Sequence, residues 1–515
     1  MCVYSTHDET RVAKATRGCW DGRHNPDLGG PMRIRLSWRA PVAAVLALGL
    51  AGTPVTGAAA ALPERSATLS AYARDGYLPR LLPGSVSPTS RQMTVPRTDP
   101  LAHDASGVRL FNWQGVLYDH PVVQADWGLD NLNAYQVTGD RFFLDRAIAQ
   151  ARRNLDRKVE SRGAWWYSYP FDLPRCTGLV LQAPWYSAMA QGELLSLFVR
   201  LYEVTGDATW RTAADRTFLS LTLEPQLGVP WVSWTDADGY LWLEEYPDSP
   251  GVRGERVLNG MIYAFYGVYD YWRITRDSRA VSLMDGTATT VRRYVPAILR
   301  VPQWASRYSV GCARSYPSYH QVHTQQMLSL HQLTHAGVFA AYADVLRADY
   351  PYPPVDGIVW FGPGSHVAYQ FDAAGRIVAQ KSINLIRFST ATADQRVRVT
   401  GRGVYYRMAN GVFAGMFVAE DAANRWLAGK FVQHTYAPTR LLTVEPGTYT
   451  GYAYDSRWQV VGSKTVTFPR TSGAPMGASA WVNGRLSYQV TAGTYLGYWL
   501  PAAPGLVLGD APPLP

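Results

Sequence analysis

Four short runs hold the residues that could do chemistry: Pro184-Trp-Tyr-Ser-Ala-Met-Ala-Gln-Gly-Glu193, Glu244-Glu-Tyr-Pro247, Asn259-Gly260 and Ser318-Tyr-His-Gln-Val-His323. Tyrosines and carboxylates with no metal-ligand or cofactor motif beside them suit proton transfer to and from a sugar carbon. Glu244, Glu245 and Tyr246 lie in a loop closed by Pro247, so at least two of these side chains can face a cleft. Tyr319 and His323 are four apart and share one face of a helix. The pair His320-x-x-His323 lacks a third ligand and the H-E-x-x-H order, so no metal is expected. There is no G-x-S-x-G elbow, no P-loop and no G-x-G-x-x-G after a strand, and no cofactor is expected either.

The elements that must position these residues change along the chain. Residues 62–120 are rich in Pro, Ser and Thr and read as an extended arm. From about Pro121 to Tyr350 the pattern is amphipathic helices, and one phrase recurs: helix, Thr-Gly-Asp turn, helix. It runs from Ala125 through Gly139-Asp140 to Leu155, and again from Leu194 through Gly206-Asp207 to Leu221. A weaker copy spans Gly260 to Leu299 through Thr275-Arg-Asp277. Repeated helix pairs build toroids around a central cleft, although a plain helical scaffold would need no active site. The loops at 160–190, 224–250 and 300–320 carry the Trp, Tyr, Arg and Glu residues, which argues for a cleft.

After Pro353-Pro354 the period becomes two, the signature of an all-β region. Pro363-Gly-Ser-His-Val-Ala-Tyr369 with Asp372 and Lys381 matches Pro446-Gly-Thr-Tyr-Thr-Gly-Tyr452 with Asp455 and Lys464. The expected architecture is therefore multidomain α plus β: an incomplete (α/α) helical toroid over 121–352, then two tandem all-β repeat modules over 353–432 and 433–515. The modules either bind carbohydrate or cell wall or simply pack on the helices.

Composition fits a globular protein with one to three cores, 47% hydrophobic and 17% charged. Its 18 Trp and 32 Tyr outnumber 15 Phe and cluster in polar company, as sugar-stacking surfaces do and as ordinary cores also can. Arg33 to Arg39, the apolar run from Pro41 and the Ala-rich exit to Ala61 have the pattern of a secretory signal peptide over 32–61. Residues 1–31 before it read as an upstream extension, and the expected location is extracellular. No later run is apolar for long enough to cross a membrane. Without 1–61 only Cys176 and Cys312 remain, and a bond between them is expected in an exported protein. The net charge of +9, milder once 1–61 is removed, is compatible with an anionic polysaccharide and carries no nucleic-acid signature. A homodimer is left open.

Taken together, Pro184 to Glu193, Trp242-Leu-Glu-Glu-Tyr-Pro247, Val257-Leu-Asn-Gly-Met-Ile-Tyr-Ala-Phe-Tyr-Gly-Val-Tyr-Asp270 and Tyr319-His-Gln-Val-His-Thr-Gln-Gln326 resemble the C-terminal catalytic domain of D-glucuronyl C5-epimerases. The resemblance covers about 120–350. It implies inversion of D-glucuronate to L-iduronate inside a polymer, as in glycosaminoglycans of the heparan sulfate type. By motif match it implies catalytic roles for Glu245, Tyr246 and Tyr319, and more loosely for Tyr308, whose family arginine is missing from Tyr308-Ser-Val-Gly here. Arg307 or Arg314 would then stand in for that arginine. Trp185, Tyr186, Gln191 and Asn259 would position substrate, with Glu244 and His323 beside them. Plainer readings are a helix start for Asn259-Gly260 and a core anchor for Trp185. Tyrosine is a poor base near its usual pKa of about 10, so nearby cations are expected to lower it, with Arg256, Arg307 and His320 as candidates.

The N-terminal β-domain of the animal enzymes has no evident counterpart, and the C-terminal β-modules match no part of them. Rival readings are a uronate polysaccharide lyase, a glycoside hydrolase using Glu244 or Glu245 with Asp126 or Asp130, and a non-catalytic glycan- or wall-binding protein.

Overall fold

The computed structural model describes residue 69 and residues 71–509, apart from 249–252, 351–356, 400, 422–424, 429–432, 457 and 483–484. The expected upstream extension and signal peptide, and the Pro353-Pro354 boundary, lie outside the described residues. Residues 112–117 separate from the rest as the tip of a hairpin turned at Gln114-Gly115.

Among the described residues eight α-helices come in four consecutive pairs: α1 (Pro121–Thr138) with α2 (Arg141–Asp156), α3 (Ala188–Thr205) with α4 (Ala208–Ser220), α5 (Leu258–Thr275) with α6 (Ser278–Tyr294), and α7 (Pro317–Thr334) with α8 (Gly337–Asp349). The recurrent turn has a clear local cause. Gly139 and Gly206 end their helices in the left-handed region (φ 70° and 69°), and Asp140 and Asp207 then cap the next helix by accepting from Phe142 N–H and Thr209 N–H. The threonine takes part too: Thr138 donates to the Ala134 carbonyl and accepts from Asp140 N–H. The third turn puts Arg276 at φ 60°, and the fourth puts His335 at φ 62° with no Asp to follow.

The first helices of the pairs pack on one another, α1 on α3, α3 on α5, and α5 on α7. Middle helices α3 and α5 are buried nearly all round, which explains why Ala188 to Leu201 and Leu258 to Tyr271 are so apolar. Their axes meet at glycine. A Cβ on Gly192 would lie 2.4 Å from Ala264 Cα, and one on Gly267 would lie 2.0 Å from the Gly192 carbonyl oxygen. No side chain fits between the two backbones.

Residue 69 and residues 71–111 belong to an irregular arm across the helices. Leu69 N–H donates to Thr222 O, Ala73 N–H to Gly239 O and Arg80 N–H to Leu333 O. Ser87 and Thr89 then donate to the two oxygens of Asp270, at 2.5 and 2.7 Å. Among the described residues no helix is long and apolar enough to cross a membrane.

From Gly357 on, the described residues form two seven-stranded antiparallel sheets. The first holds β1 (Gly357–Phe361), β2 (Gly364–Phe371), β3 (Ile377–Leu385), β4 (Ser389–Val399), β5 (Gly403–Met408), β6 (Phe417–Ala419) and β7 (Arg425–Ala428), in the order β3-β2-β6-β5-β4-β1-β7. The second holds β8 (His434–Val444), β9 (Gly447–Tyr454), β10 (Val460–Phe468), β11 (Ser472–Val482), β12 (Arg485–Val490), β13 (Trp499–Pro501) and β14 (Leu506–Leu508), in the order β10-β9-β13-β12-β11-β8-β14. The two orders are the same. Each sheet reaches the end of α8 from the eighth residue of the corresponding strand, but with different chemistry. In β4 that residue is Arg396, which donates to Asp349 O (3.1 Å), pairs with Glu420 and lies over the Tyr350 ring at 4.7 Å. In β11 it is Ser479, whose hydroxyl and carbonyl both accept from Arg347 (2.8 and 2.9 Å).

Candidate active site

The Glu244-Glu-Tyr loop leaves a small hairpin (Ser233–Thr235 with Leu241–Leu243) and is held at both ends of Glu244. Its N–H donates to Val232 O and its carbonyl accepts from Ala188 N–H at the start of α3. Glu245 projects against the first turn of α5, where a Cβ on Gly260 would lie 2.2 Å from Glu245 Oε2. Asn259-Gly260 is thus both a helix start and the space that admits this carboxylate. Tyr308 comes from the loop after α6. Its carbonyl accepts from Leu258 N–H and its N–H donates to Arg314 O. Tyr319 is in the first turn of α7, its ring 4.5 Å from that of Tyr308, edge to face.

Four side chains therefore meet. The Tyr308 hydroxyl lies 3.3 and 3.4 Å from the two oxygens of Glu245 and 3.4 Å from the Tyr246 hydroxyl. Glu245 and Tyr308 are buried, whereas Tyr246 and Tyr319 are half-buried and form the exposed side of the group. Burial is the main influence on Glu245 and pushes its carboxyl up to about 7, against the pull of the Tyr246 hydroxyl and Arg175. Burial, helped by the Glu245 charge, also pushes Tyr319 up to about 12 and raises Tyr246 and Tyr308 well above the usual phenol range. The expectation of lowered tyrosine pKa values is corrected here: the loss of water and the neighbouring carboxylate outweigh the cation.

That cation is Arg175, which the sequence reading missed. Its guanidinium lies 3.4 Å from the Tyr246 ring centroid and is held bidentately by Glu255 at 2.8 and 3.0 Å. The available signal was its neighbour: Cys176 is bonded to Cys312, with Cα atoms 5.9 Å apart, and this joins the Arg175 loop to the Tyr308 loop. Among the described residues, Cys176, Glu255 and Cys312 are also the one His/Cys/Asp/Glu group close enough to converge on an ion. The disulfide leaves that group without thiolates.

Several expected substrate contacts prove to be framework. Gln191 is fully buried; its amide donates to Trp165 O and Ser220 Oγ and accepts from Tyr167 N–H, so it has no atom for a ligand. Glu244 accepts from Trp234 Nε1 (2.8 Å) and Arg256 N–H (3.0 Å) beneath Gly254, where a Cβ would strike its carboxyl carbon. His320 is neither cation nor ligand, because Nδ1 accepts from Ser306 N–H, Nε2 faces Leu346 O, and burial pushes it down to about 4. His323 is buried and bonded through Nδ1 to Ser306 Oγ. Trp185 stacks on Tyr169 at 3.8 Å and donates to Phe171 O; its ring also lies 6.0 Å from that of Tyr246. Tyr186 packs edge-on against Trp166. Arg256 has its guanidinium 6.0 Å from the Tyr294 ring, and half-buried Arg307 is fixed through its backbone to Leu299 O. Asn259 is buried, its backbone carbonyl accepting from Gln326 Nε2, while its side-chain Oδ1 has no partner.

Residues 158–347 match the family model described as D-glucuronyl C5-epimerase C-terminus. A D-glucuronyl C5-epimerase of Caenorhabditis elegans is 30% identical over 136 residues, which is 26% of this chain and 21% of that protein. The chain thus spans about a fifth of the length of the curated relative it matches. Solved structures with a similar arrangement include a sugar epimerase from a ruminal bacterium (TM-score 0.35, 10% identity, 56% of this chain and 72% of that one). A D-mannose isomerase (0.34, 12%, 49% and 65%) and a GH76 α-mannanase of Bacteroides thetaiotaomicron (0.32, 12%, 47% and 60%) are also similar. At these scores the structural likenesses carry no argument for chemistry.

Proposed function

We propose that this protein is an exported carbohydrate epimerase that inverts C5 of D-glucuronate residues within a polysaccharide, giving L-iduronate. The carrying observation is the meeting of Glu245 with Tyr246, Tyr308 and Tyr319, on a stretch matched by the epimerase family model. The C5 hydrogen becomes acidic when charge developing on the adjacent carboxylate is met by hydrogen-bond donors. Glu245, at about 7, is well poised to take that proton near neutral pH. Tyr319 remains protonated there and can return a proton to the opposite face. Tyr246 and Tyr308 supply O–H donors, and Arg175 offsets the charge that accumulates. The leader-like sequence over 32–61 and the Cys176–Cys312 bond support an exported protein.

The test is incubation with glucuronate polymers in deuterated water. Deuterium at C5 without chain shortening is the expected result. Chain cleavage with absorbance from an unsaturated uronate identifies a lyase instead. Glycan binding that survives Tyr319→Phe, with no exchange on any uronate polymer, identifies a binding protein.

A further inference from the structure

The two faces of the second sheet differ in kind. Ser479 and its face meet α8, whereas Ala478, Ala480 and Val482 alternate with it along β11 and point the other way. Over those small residues Tyr454, Trp458 and Trp499 gather. The Trp458 ring lies 5.8 Å from that of Tyr454 and 5.3 Å from that of Trp499, and Tyr452, opposite Trp499 in the ladder, lies 6.3 Å from Tyr454. Trp499 is buried, but Tyr452, Tyr454 and Trp458 keep part of their surface in solvent. Residues opposite one another in a ladder share a face, so Gln489 joins this face beside Trp499, and exposed Arg485 joins it opposite Val482.

Two of these groups have no counterpart in the first sheet. The β9–β10 turn repeats the β2–β3 turn: Gly375 N–H donates to Asp372 O at 2.9 Å, and Trp458 N–H donates to Asp455 O at 3.0 Å. The backbone is left-handed at both positions, φ 74° at Gly375 and 60° at Trp458. Glycine adopts this conformation freely, whereas tryptophan adopts it against a steric penalty. The second sheet accepts that penalty and gains a ring between Tyr454 and Trp499. Likewise Gly403 stands opposite Val399 in the first sheet, where Arg485 stands opposite Val482 in the second.

Charge follows the sheets as well. Residues 357–515 contain 14 Lys and Arg against 7 Asp and Glu, while the residues before them contain 35 against 33. The chain's excess positive charge therefore lies mostly in the β region, and the helical region has little of its own. A long anion is drawn to the sheets before the helices.

We propose that the face of the second sheet turned away from α8 binds an anionic polysaccharide. Tyr452, Tyr454 and Trp458 take the apolar faces of sugar units, Gln489 bonds their hydroxyls, and Arg485 pairs with a carboxylate. That the anion is a uronate rests on the epimerase reading; the platform itself uses neither Glu245 nor its tyrosines.

Binding of the full chain to immobilised hyaluronan, heparosan and chondroitin, all glucuronate polymers, tests the site. Trp458→Gly, which installs the residue found in the first sheet, should weaken binding about tenfold. Arg485→Gln, at an exposed position, should weaken it about threefold and flatten its salt dependence. Carboxyl-reduced polymers should no longer distinguish Arg485→Gln from wild type, yet should still register the loss of Trp458. Deuterium exchange at C5 of short glucuronate oligosaccharides should be unchanged in both variants. Wild type that binds none of the polymers, or two variants that bind as tightly as wild type, overturns the proposal. If wild type exchanges no C5 hydrogen while Trp458→Gly still weakens binding, the epimerase reading fails and the platform stands. If exchange proceeds and both variants bind as wild type does, the platform alone fails.

Discussion

Asp344 and Glu245 are both acids set among tyrosine, arginine and little water, yet their surroundings treat them in opposite ways. Asp344, on α8, accepts from His434 Nδ1 (2.9 Å), Tyr436 Oη (2.6 Å) and Ser479 Oγ (3.1 Å), and pairs with Arg347 and Arg440. These bonds and charges overcome burial and hold its carboxyl well below the usual range. Glu245 has long contacts to phenols, and burial wins. A fully bonded acid fastens one element to another, here α8 to the second sheet; one held only by long contacts keeps its proton to near neutral pH. The buried acid is therefore a fastening in one place and a group that titrates near neutral pH in the other.

If that contrast holds, damage to the two places should separate activity from stability. Tyr319→Phe should lower C5 exchange about a thousandfold, equivalent to roughly 4 kcal/mol, while the thermal midpoint stays near that of wild type. Asp344→Asn should do the reverse, costing about 3 kcal/mol in denaturant unfolding because Arg347 and Arg440 lose a buried counter-charge, with exchange per folded molecule retained. Asp344 also predicts an acid limb: its stabilisation is complete above pH of about 4 and disappears as pH falls toward its lowered folded value, and the Asn variant should lack this limb. Glu245 has the opposite sign. Its folded pKa of about 7 lies above the unfolded value, so the folded state loses stability as pH rises toward 7 and beyond. Glu245→Gln should accordingly be more stable than wild type at pH 8, on the order of 2 kcal/mol, though inactive. The smallest effect is expected from Arg175→Gln, which removes the cation that pulls Glu245 down and should shift the acid limb of kcat/KM upward by about one unit or less.

How much of this was legible in the sequence depended on whether the cause was local. Thr-Gly-Asp turns announce helix pairs because capping and the left-handed residue act within four positions. The fourth pair escaped that signal, since Thr334-His335-Ala336 makes the same turn without Gly or Asp. Glu245, Tyr246, Tyr308 and Tyr319 were found through motifs, and the chain does bring them together. Gln191 and His320 were misread because their partners, Trp165 O and Leu346 O, come from distant backbone that no spacing reveals. Arg175 belongs to no motif, and its role depends on a fold that sets it over Tyr246. Glu193 was quoted within a motif, but only burial shows that its oxygens lack partners.

Arg396 and Ser479 occupy the same place in sheets of the same strand order, and each meets the end of α8 by its own chemistry. Attachment is thus written in a few side chains and is separable from the sheet that carries them. Exchanging the two sheets along the chain would preserve every ladder and lose both fastenings: a guanidinium would arrive where Arg347 requires an acceptor, and a short hydroxyl where the Tyr350 face and Asp349 carbonyl need a long cation.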